Sequence, residues 1–164
     1  GGVMFPIALD VSKIPIFLVG EGEAYAKRKR QLEEMGVERW AADVADAQIV
    51  MVAGLSYDAS KRIADEARAQ KKLVNVEDVP ELCDFYFTSF VRRGDLTIAV
   101  STNGASPTLA VRIREKIASV FSEEWAVRTS EIKALRGRLR EQGKTMKDVM
   151  QATDALLDEK GWLV

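Results

Sequence analysis

The chain has 164 residues, of which 47% are hydrophobic and 30% charged, so it can bury a core and is neither disordered nor fibrous. Its 24 basic and 25 acidic residues nearly cancel, which gives no reason to expect nucleic acid or a membrane surface as a partner. Histidine is absent, which excludes Ser-His-Asp and Cys-His catalysts and imidazole metal sites. The one cysteine, Cys83, cannot form an internal disulfide and favours a reducing compartment.

The start of the chain lacks the basic-then-apolar pattern of a signal peptide, and no apolar run approaches the ~20 residues of a membrane span. Residues 1–3, Gly-Gly-Val before Met4, look like an expression remnant. We therefore expect a cytoplasmic protein.

The first half of the chain alternates strand and helix signals. Apolar runs at 14–19, 48–53 and 72–76 predict three buried strands. Helical patterns at 23–35 and 56–70 separate them, with Gly36 ending the first helix and Ser56 or Asp58 capping the second. This alternation predicts a parallel sheet with right-handed crossovers.

The pattern changes after residue 84. Segments 85–91 and 96–101 flank a glycine-containing turn at 92–95, which predicts a hairpin, and Ser106 before Pro107 predicts the start of a helix. The apolar stripe of that helix comprises Leu109, Ile113, Ile117 and Val120. Two further helices come next, the second capped by Thr145 and ended by Gly161. Because a hairpin with one helix is too small to fold alone, we expect a second copy of the chain to complete it.

Two places near predicted strand ends could bind a ligand. Gly20-x-Gly22 stands between a strand and a helix, as a phosphate-binding turn does, although the third glycine position is Tyr25 and a plain connecting turn fits equally. Glu21 and Glu23 place negative charge there. Asp78 comes after the third strand, where a carboxylate can act as acid, base or metal ligand, or simply as a cap before Pro80.

Other polar residues have ordinary alternatives. Hydroxyl and amide groups near the third helix either contact a ligand or cap that helix; they are Ser101, Thr102, Asn103 and Ser106. The basic run 27–30 is typical of a solvated helix face, with an acidic substrate as the alternative. Cys83 is interpreted as a packed thiol.

Several stretches together resemble a known family. They are residues 4–10, the turn at 20–22, residues 75–78 (Asn-Val-Glu-Asp), 81–85 (Glu-Leu-Cys-Asp-Phe), 96–107 (Leu-Thr-Ile-Ala-Val-Ser-Thr-Asn-Gly-Ala-Ser-Pro) and 109–116. The chain thereby resembles the precorrin-2 dehydrogenase/sirohydrochlorin ferrochelatase family, the amino-terminal module of siroheme synthase, over roughly residues 4–121.

The resemblance implies an α/β architecture with a truncated Rossmann-like parallel sheet. We expect an NAD-binding domain at 4–84, a dimerisation segment of strands and a helix at 85–121, and a small helical domain at 122–164. The family oxidises precorrin-2 to sirohydrochlorin with NAD, and some members insert ferrous iron. By this resemblance the chain is a homodimeric enzyme with a tetrapyrrole substrate and no nucleic-acid or membrane partner.

The resemblance also assigns site residues. Asp78 is the expected acid-base group and a transient metal ligand if iron is inserted. The expected cofactor-binding residues are Gly20, Glu21, Gly22, Glu23, Ala24, Ala53 and Gly54. The expected substrate-binding residues are Asn75, Ser101, Thr102, Asn103, Ser106 and Arg112, and Arg92, Arg93 and Arg114 suit the substrate's carboxylates.

Two departures from the family pattern keep alternatives open. Glu21 replaces the middle residue of the usual Gly-Gly-Gly turn, and residues 37–47 are too few for the second strand and the further secondary structure expected beyond it. Asp43 is the sole acid near the expected ribose position. The chain is therefore a compact dehydrogenase, a chelatase without the redox half, or a tetrapyrrole-binding relative without catalysis.

Overall fold

The computed structural model describes residues 2–164; Gly1, part of the three-residue start interpreted as an expression remnant, lies outside them. The chain divides into two compact units, 1–87 and 88–164. The predicted segments 85–121 and 122–164 both fall mainly in the second unit. Within the described residues, no helix has the length and apolar character needed to cross a bilayer.

Unit 1 contains a three-stranded parallel sheet in the order β1-β2-β3, as the alternating pattern predicted. Its elements are β1 (Ile16–Gly20), α1 (Gly22–Glu34), β2 (Ile49–Ala53), α2 (Tyr57–Ala69) and β3 (Leu73–Val76). All five residues of β2 are buried, because this central strand is covered on both faces. One core cluster includes Leu18 and Leu32, and the other includes Val50, Ala64 and Val74.

The segment between α1 and β2 retains one contact of a fourth strand. Trp40 forms an isolated parallel bridge with Ile16, through Ile16 N–H to Arg39 O (2.9 Å) and Ala41 N–H to Ile16 O (2.8 Å). This bridge lies on the edge of β1 away from β2, where the second strand of a doubly wound sheet runs. The shortened segment thus closes the edge of β1 with a single residue pair.

Unit 2 begins with an antiparallel hairpin, β4 (Ser89–Arg93) and β5 (Leu96–Val100), joined by residues 94–95. The hairpin was predicted, but its first strand starts at Ser89 rather than at 85, and its turn is two residues rather than four. Gly94 has φ +59° at the first turn position, which suits a two-residue hairpin turn. Residues 85–87 cannot join the hairpin because they make contacts within unit 1.

Three helices complete unit 2: α3 (Pro107–Val120), α4 (Glu124–Glu141) and α5 (Met146–Lys160). Their predicted boundaries are confirmed where a side chain caps them. Ser106 Oγ accepts the Leu109 N–H at the start of α3, Thr145 and Asp148 form a reciprocal capping box at α5, and Gly161 ends α5 with φ +61°.

The apolar stripe of α3 is largely exposed. Leu109, Ile113 and Val120 are 49%, 38% and 61% exposed, whereas Ala110 is buried and Ile117 is half-buried. The face of α3 that packs within unit 2 therefore passes through Ala110 and Ile117. Most of the predicted apolar stripe is exposed to solvent in the single chain.

Candidate active site

The loops after β1 and β2 meet backbone to backbone at the carboxyl edge of the sheet. A Cβ atom on Gly20 would lie 1.7 Å from Ala53 O, and one on Gly54 would lie 2.1 Å from Glu21 O. Glu21 N–H donates to Ala53 O at 3.2 Å. Only glycine permits this approach at both positions. The structure therefore brings together all the residues predicted to bind the cofactor: Gly20, Glu21, Gly22, Glu23, Ala24, Ala53 and Gly54.

The first turn of α1 has no side-chain cap. Glu21 occupies the N-cap position in extended conformation, and its carboxylate accepts no N–H group of the helix. The N–H groups of this first turn also have no partner within the helix, and they lie at the sheet edge together with the positive end of the helix dipole. Such an arrangement binds anions, phosphate above all.

Two acidic side chains modify that positive end differently. Glu23 lies in the first turn, and its carboxylate pairs with Arg30 Nη2 at 3.0 Å, which offsets its charge. Glu21 is exposed, with no such partner among the ion pairs of the described residues. Tyr25, at the third glycine position, packs against the core cluster that includes Leu18 and Leu32.

Asp78 lies in the turn directly after β3. Its backbone has φ +62°, a left-handed conformation that is uncommon for a residue with a side chain and that concentrates at functional sites. The turn is held by Glu77 N–H to Val52 O (2.9 Å) and Val79 N–H to Val76 O (3.2 Å). The Asp78 side chain is exposed at the same sheet edge as the glycine junction.

Sequence reasoning missed two charged neighbours of Asp78. Glu77 Oε2 is buried and accepts no hydrogen bond, and its nearest cation is Arg28 Nη2 at 3.8 Å. Arg28 also stacks on Phe87, with 3.9 Å from its guanidinium carbon to the ring centroid. Burial lowers the pKa of Arg28, while the charges of Glu77 and Asp78 oppose that shift.

The interpretation of 27–30 as a solvated face is wrong for Arg28, whose side chain is 13% exposed, against 59% for Arg30. A signal for this was present in the sequence. Arg28 lies three residues after Tyr25 and four before Leu32, so helical spacing places it on their side of α1. Leu32 is buried and Tyr25 packs on the same core cluster.

Asn75 and Cys83 hold the free edge of β3. Asn75 is buried, and its side-chain nitrogen donates to Phe85 O at 2.9 Å. The Cys83 sulfur accepts the Val76 N–H at 3.2 Å, as a packed thiol does, and burial raises the pKa of this thiol. Asp84 accepts the Val74 N–H at 2.9 Å. The predicted substrate residue Asn75 therefore supports the strand that leads to Asp78.

In unit 2, the loop before α3 uses its hydroxyl groups internally. Thr102 Oγ1 bonds both the backbone oxygen and the backbone nitrogen of Ser106, at 3.0 and 3.1 Å, and Ser101 Oγ accepts the Asn103 N–H at 3.2 Å. Ser106 caps α3. The side chains of Ser101, Asn103 and Arg112 are exposed.

The arginines proposed for carboxylates also differ. Arg93 donates to Phe121 O at 2.8 Å and pairs with Glu123 at 3.0 Å, so it joins the hairpin to the start of α4. Arg114 lies 3.8 Å from Glu115, and Arg92 is exposed beside the Phe90 ring. Within residues 2–164, no group of three or more acidic or cysteine side chains, with or without Asp78, is arranged so that it could bind a metal ion.

Comparison with known proteins identifies relatives of both units. Residues 93–119 match the family model described as Sirohaem biosynthesis protein central, and residues 30–89 match one described as NAD(P)-binding. Siroheme synthase 1 of Cronobacter sakazakii is 36% identical over 144 residues, covering 71% of this chain and 30% of that protein. Siroheme biosynthesis protein met8 of Schizosaccharomyces pombe is 38% identical over 96 residues, covering 58% of this chain and 36% of that protein.

The chain thus spans about a third of the length of these two relatives. Among solved structures, SirC, a precorrin-2 dehydrogenase, matches with a TM-score of 0.72 at 18% identity, covering 98% of this chain and 93% of that one. This match confirms the predicted Rossmann-like α/β fold, and the sequence matches confirm the resemblance on which the predictions rest.

Proposed function

Because the chain is similar to siroheme-biosynthesis proteins in both of its units, we propose that it oxidises precorrin-2 to sirohydrochlorin with NAD, using Asp78 as the acid-base group. The observation that carries this proposal is the carboxyl edge of the first sheet. There the uncapped start of α1, the glycine junction and the strained turn of Asp78 belong to one compact unit.

The residues at the glycine junction fit a dinucleotide. The pyrophosphate would take the N–H groups of residues 22–24, which the side chain at the N-cap position, Glu21, leaves uncapped. A Cβ on Gly22 would meet nothing within 4 Å, so the space outside the turn is open. Asp43 Oδ1 accepts the Asp46 N–H at 3.0 Å, which leaves its second oxygen for a ribose hydroxyl. Three features weaken this fit: the Glu21 carboxylate, Tyr25 at the third glycine position and the short segment 37–47.

When bound, NAD supplies the hydride acceptor, and oxidation then removes one hydride and one proton from the macrocycle. We assign the proton to the Asp78 carboxylate, which is exposed at the sheet edge and able to pass it to solvent. The strained turn fixes the direction of this side chain, and Asn75 and Cys83 support the strand before it.

For the substrate we propose an anionic tetrapyrrole whose carboxylates meet exposed groups of unit 2. Ser101, Asn103 and Arg112 have this exposure, and Arg112 offers a fork of donors suited to a carboxylate. Thr102 and Ser106 act by holding the loop that carries Ser101 and Asn103.

We further propose that two copies of the chain associate through α3. Its exposed stripe of Leu109, Ile113 and Val120 follows the helical repeat, and the side of α3 that packs within unit 2 passes instead through Ala110 and Ile117. Light scattering at micromolar concentration is expected to give twice the chain mass. Ile113→Glu, which places a charge in the stripe, is expected to give the single chain mass; Thr108→Glu, on the same helix, serves as the control. A wild-type protein of single mass would contradict the proposal.

The proposed activity is tested by following NADH formation with precorrin-2. Asp78→Asn is expected to lower kcat by about 100-fold or more, because it removes the proton acceptor and keeps the side-chain shape. Glu81→Gln, an exposed acid three residues later, is the matched control and should keep wild-type kcat.

Absence of NADH formation by the wild-type protein would contradict the dehydrogenase proposal. A parallel assay of sirohydrochlorin with ferrous iron as substrate then separates the alternatives. Iron insertion would indicate a chelatase, and binding without turnover would indicate a tetrapyrrole-binding protein.

A further inference from the structure

Arg28 occupies an unusual position for a residue in a basic run. It extends from the buried side of α1 to the turn after β3, where its guanidinium lies over the Phe87 ring at 3.9 Å and 3.8 Å from Glu77 Oε2. Arginine prefers such stacking because its planar charge is weakly hydrated. The stack fixes the guanidinium plane, so the positive charge is held at the turn rather than moving in solvent.

Glu77 favours a cation at this place. Its side chain is 21% exposed, but its Oε2 is buried with no hydrogen-bond donor, and a nearby positive charge stabilises a carboxylate oxygen that is out of contact with water. Arg28 supplies the charge but stops just beyond hydrogen-bond distance. The backbone of Glu77 is fixed independently, by its N–H bond to Val52 O at 2.9 Å.

Asp78 is the next residue and carries the strained backbone. A left-handed aspartate persists only when its surroundings hold it. This turn is closed by the Val79 N–H, which donates to Val76 O at 3.2 Å, and by the Cys83 thiol, whose sulfur lies 3.1 Å from Val76 O and 3.4 Å from Val79 O. Withdrawal of Glu77 toward solvent would turn the Glu77–Asp78 peptide. The pair of Arg28 with Glu77 opposes that withdrawal.

We propose that Arg28 is a positioning residue for the proposed acid-base group: stacked on Phe87 and facing Glu77, it holds the turn that aims Asp78. This inference rests on the proposed function of Asp78, and it deepens that function by assigning the role of α1 in the chemistry. Arg28 itself touches no reacting atom.

The test compares Arg28→Met with Arg62→Met, which makes the same chemical change at an exposed position on α2. Arg28→Met is expected to lower kcat about tenfold or more, while KM for the tetrapyrrole and the Kd for NAD stay within about threefold. The reason is that the Asp78 carboxylate loses its orientation, whereas the groups that bind substrate and cofactor are unchanged. Arg28→Lys should fall between Arg28→Met and the wild type, since it keeps the charge and loses the planar stack. Arg62→Met should match the wild type.

Amide hydrogen exchange without cofactor or substrate gives a second readout. The Val79 amide is expected to exchange about tenfold faster in Arg28→Met, while the amides of β2 keep their protection. Adding Glu77→Gln to Arg28→Met should restore part of the Val79 protection, because the carboxylate left without its cation is then gone.

Wild-type kcat and Val79 exchange in Arg28→Met would overturn the inference. Equally faster amide exchange throughout unit 1 in Arg28→Met would also overturn the inference, because it would show that Arg28 stabilises the packing of the whole unit. If Arg28→Met does not fold, Arg28→Lys is the variant that tests the inference. It is expected to lower kcat about threefold, and a wild-type kcat would overturn the inference. Wild-type turnover by Asp78→Asn would overturn the proposed function and this inference together, whereas an inactive Asp78→Asn with a fully active Arg28→Met would overturn this inference alone.

Discussion

The first helix of unit 1 and the first helix of unit 2 begin in opposite ways. At α3, the Ser106 hydroxyl accepts the Leu109 N–H, and Thr102 bonds both backbone polar atoms of Ser106. At α1, Glu21 stands at the N-cap position with no side-chain bond, and the preceding loop is fixed by close backbone contact at Gly20 and Gly54. The start of α3 is therefore capped by side chains of its own loop, whereas the start of α1 has no side-chain cap.

Two carboxylates, one from each unit, show a similar difference. Asp148 accepts hydrogen bonds from Thr145 Oγ1 and N–H, which hold the pKa of Asp148 below its ordinary value. The Oε2 atom of Glu77 in unit 1 is buried and accepts no hydrogen bond. This atom and the uncapped start of α1 both lie at the carboxyl edge of the first sheet, where open α/β sheets bind their ligands.

Filling the glycine junction should disturb the protein most. Gly20→Ala should lower the free energy of unfolding by about 3 kcal/mol or more, because the new Cβ would meet the Ala53 backbone oxygen. Gly137→Ala, in the middle of α4 with nothing within 4 Å, is the control and should raise stability by about 1 kcal/mol. Urea unfolding measures the free energy of unfolding of both variants. Equal stability of the two would mean that the close backbone contact at Gly20 does not fix the loop before α1.

The cap of α3 should matter less. Ser106→Ala is expected to lower the unfolding free energy by about 1 kcal/mol, since the Leu109 N–H loses its acceptor. Thr108→Ala, exposed in the first turn of α3, should change it by less than about 0.5 kcal/mol. If Ser106→Ala leaves the free energy of unfolding unchanged, the Ser106 cap does not stabilise α3. The difference between the starts of α3 and α1 would then have no energetic meaning.

The charge of Glu21 bears on the open helix start of unit 1. Glu21→Gln should tighten NAD binding about threefold, because an exposed carboxylate next to the expected pyrophosphate is neutralised. Glu34→Gln, at the other end of α1, removes the same charge and should leave the affinity unchanged. Calorimetric titration compares them, and equal affinities would show that repulsion at the turn does not limit binding.

The weakest effect is a pH dependence from Cys83. Burial raises the pKa of this thiol, so the folded state holds its proton more tightly than the unfolded state. This contribution to stability is complete below the ordinary thiol pKa of about 8.5 and is lost as the pH rises through the folded pKa. The unfolding free energy measured in urea between pH 7 and pH 10 should therefore fall more steeply for the wild type than for Cys83→Ser; parallel slopes would contradict the assignment.

Local sequence signals predicted most of the elements because local physics decides them. The apolar runs before Gly20 and Gly54 became buried parallel strands, and Ser56, Ser106 and Thr145 cap the helices that come after them. The hairpin start was misplaced because Phe85 and Phe87 look like strand residues. Their positions depend on Asn75 and Arg28, which lie far along the chain.

The site was only partly predictable for the same reason. The glycine turn and Asp78 could be predicted because each comes directly after a predicted strand. The contact of Gly54 with Glu21 and the pairing of Arg28 with Glu77 join separate loops and could not be read locally. The outward position of Leu109 and Ile113 depends on which face of α3 packs on the hairpin, which helical periodicity leaves open.

Titration of NAD into the isotopically labelled protein, followed by amide NMR, tests whether the uncapped start of α1 binds a dinucleotide. We expect saturable binding with the largest shifts at the amides of Gly22, Glu23, Ala24 and Gly54, and small shifts at the capped start of α3. No saturation up to millimolar NAD, or shifts centred away from the glycine junction, would contradict that binding mode.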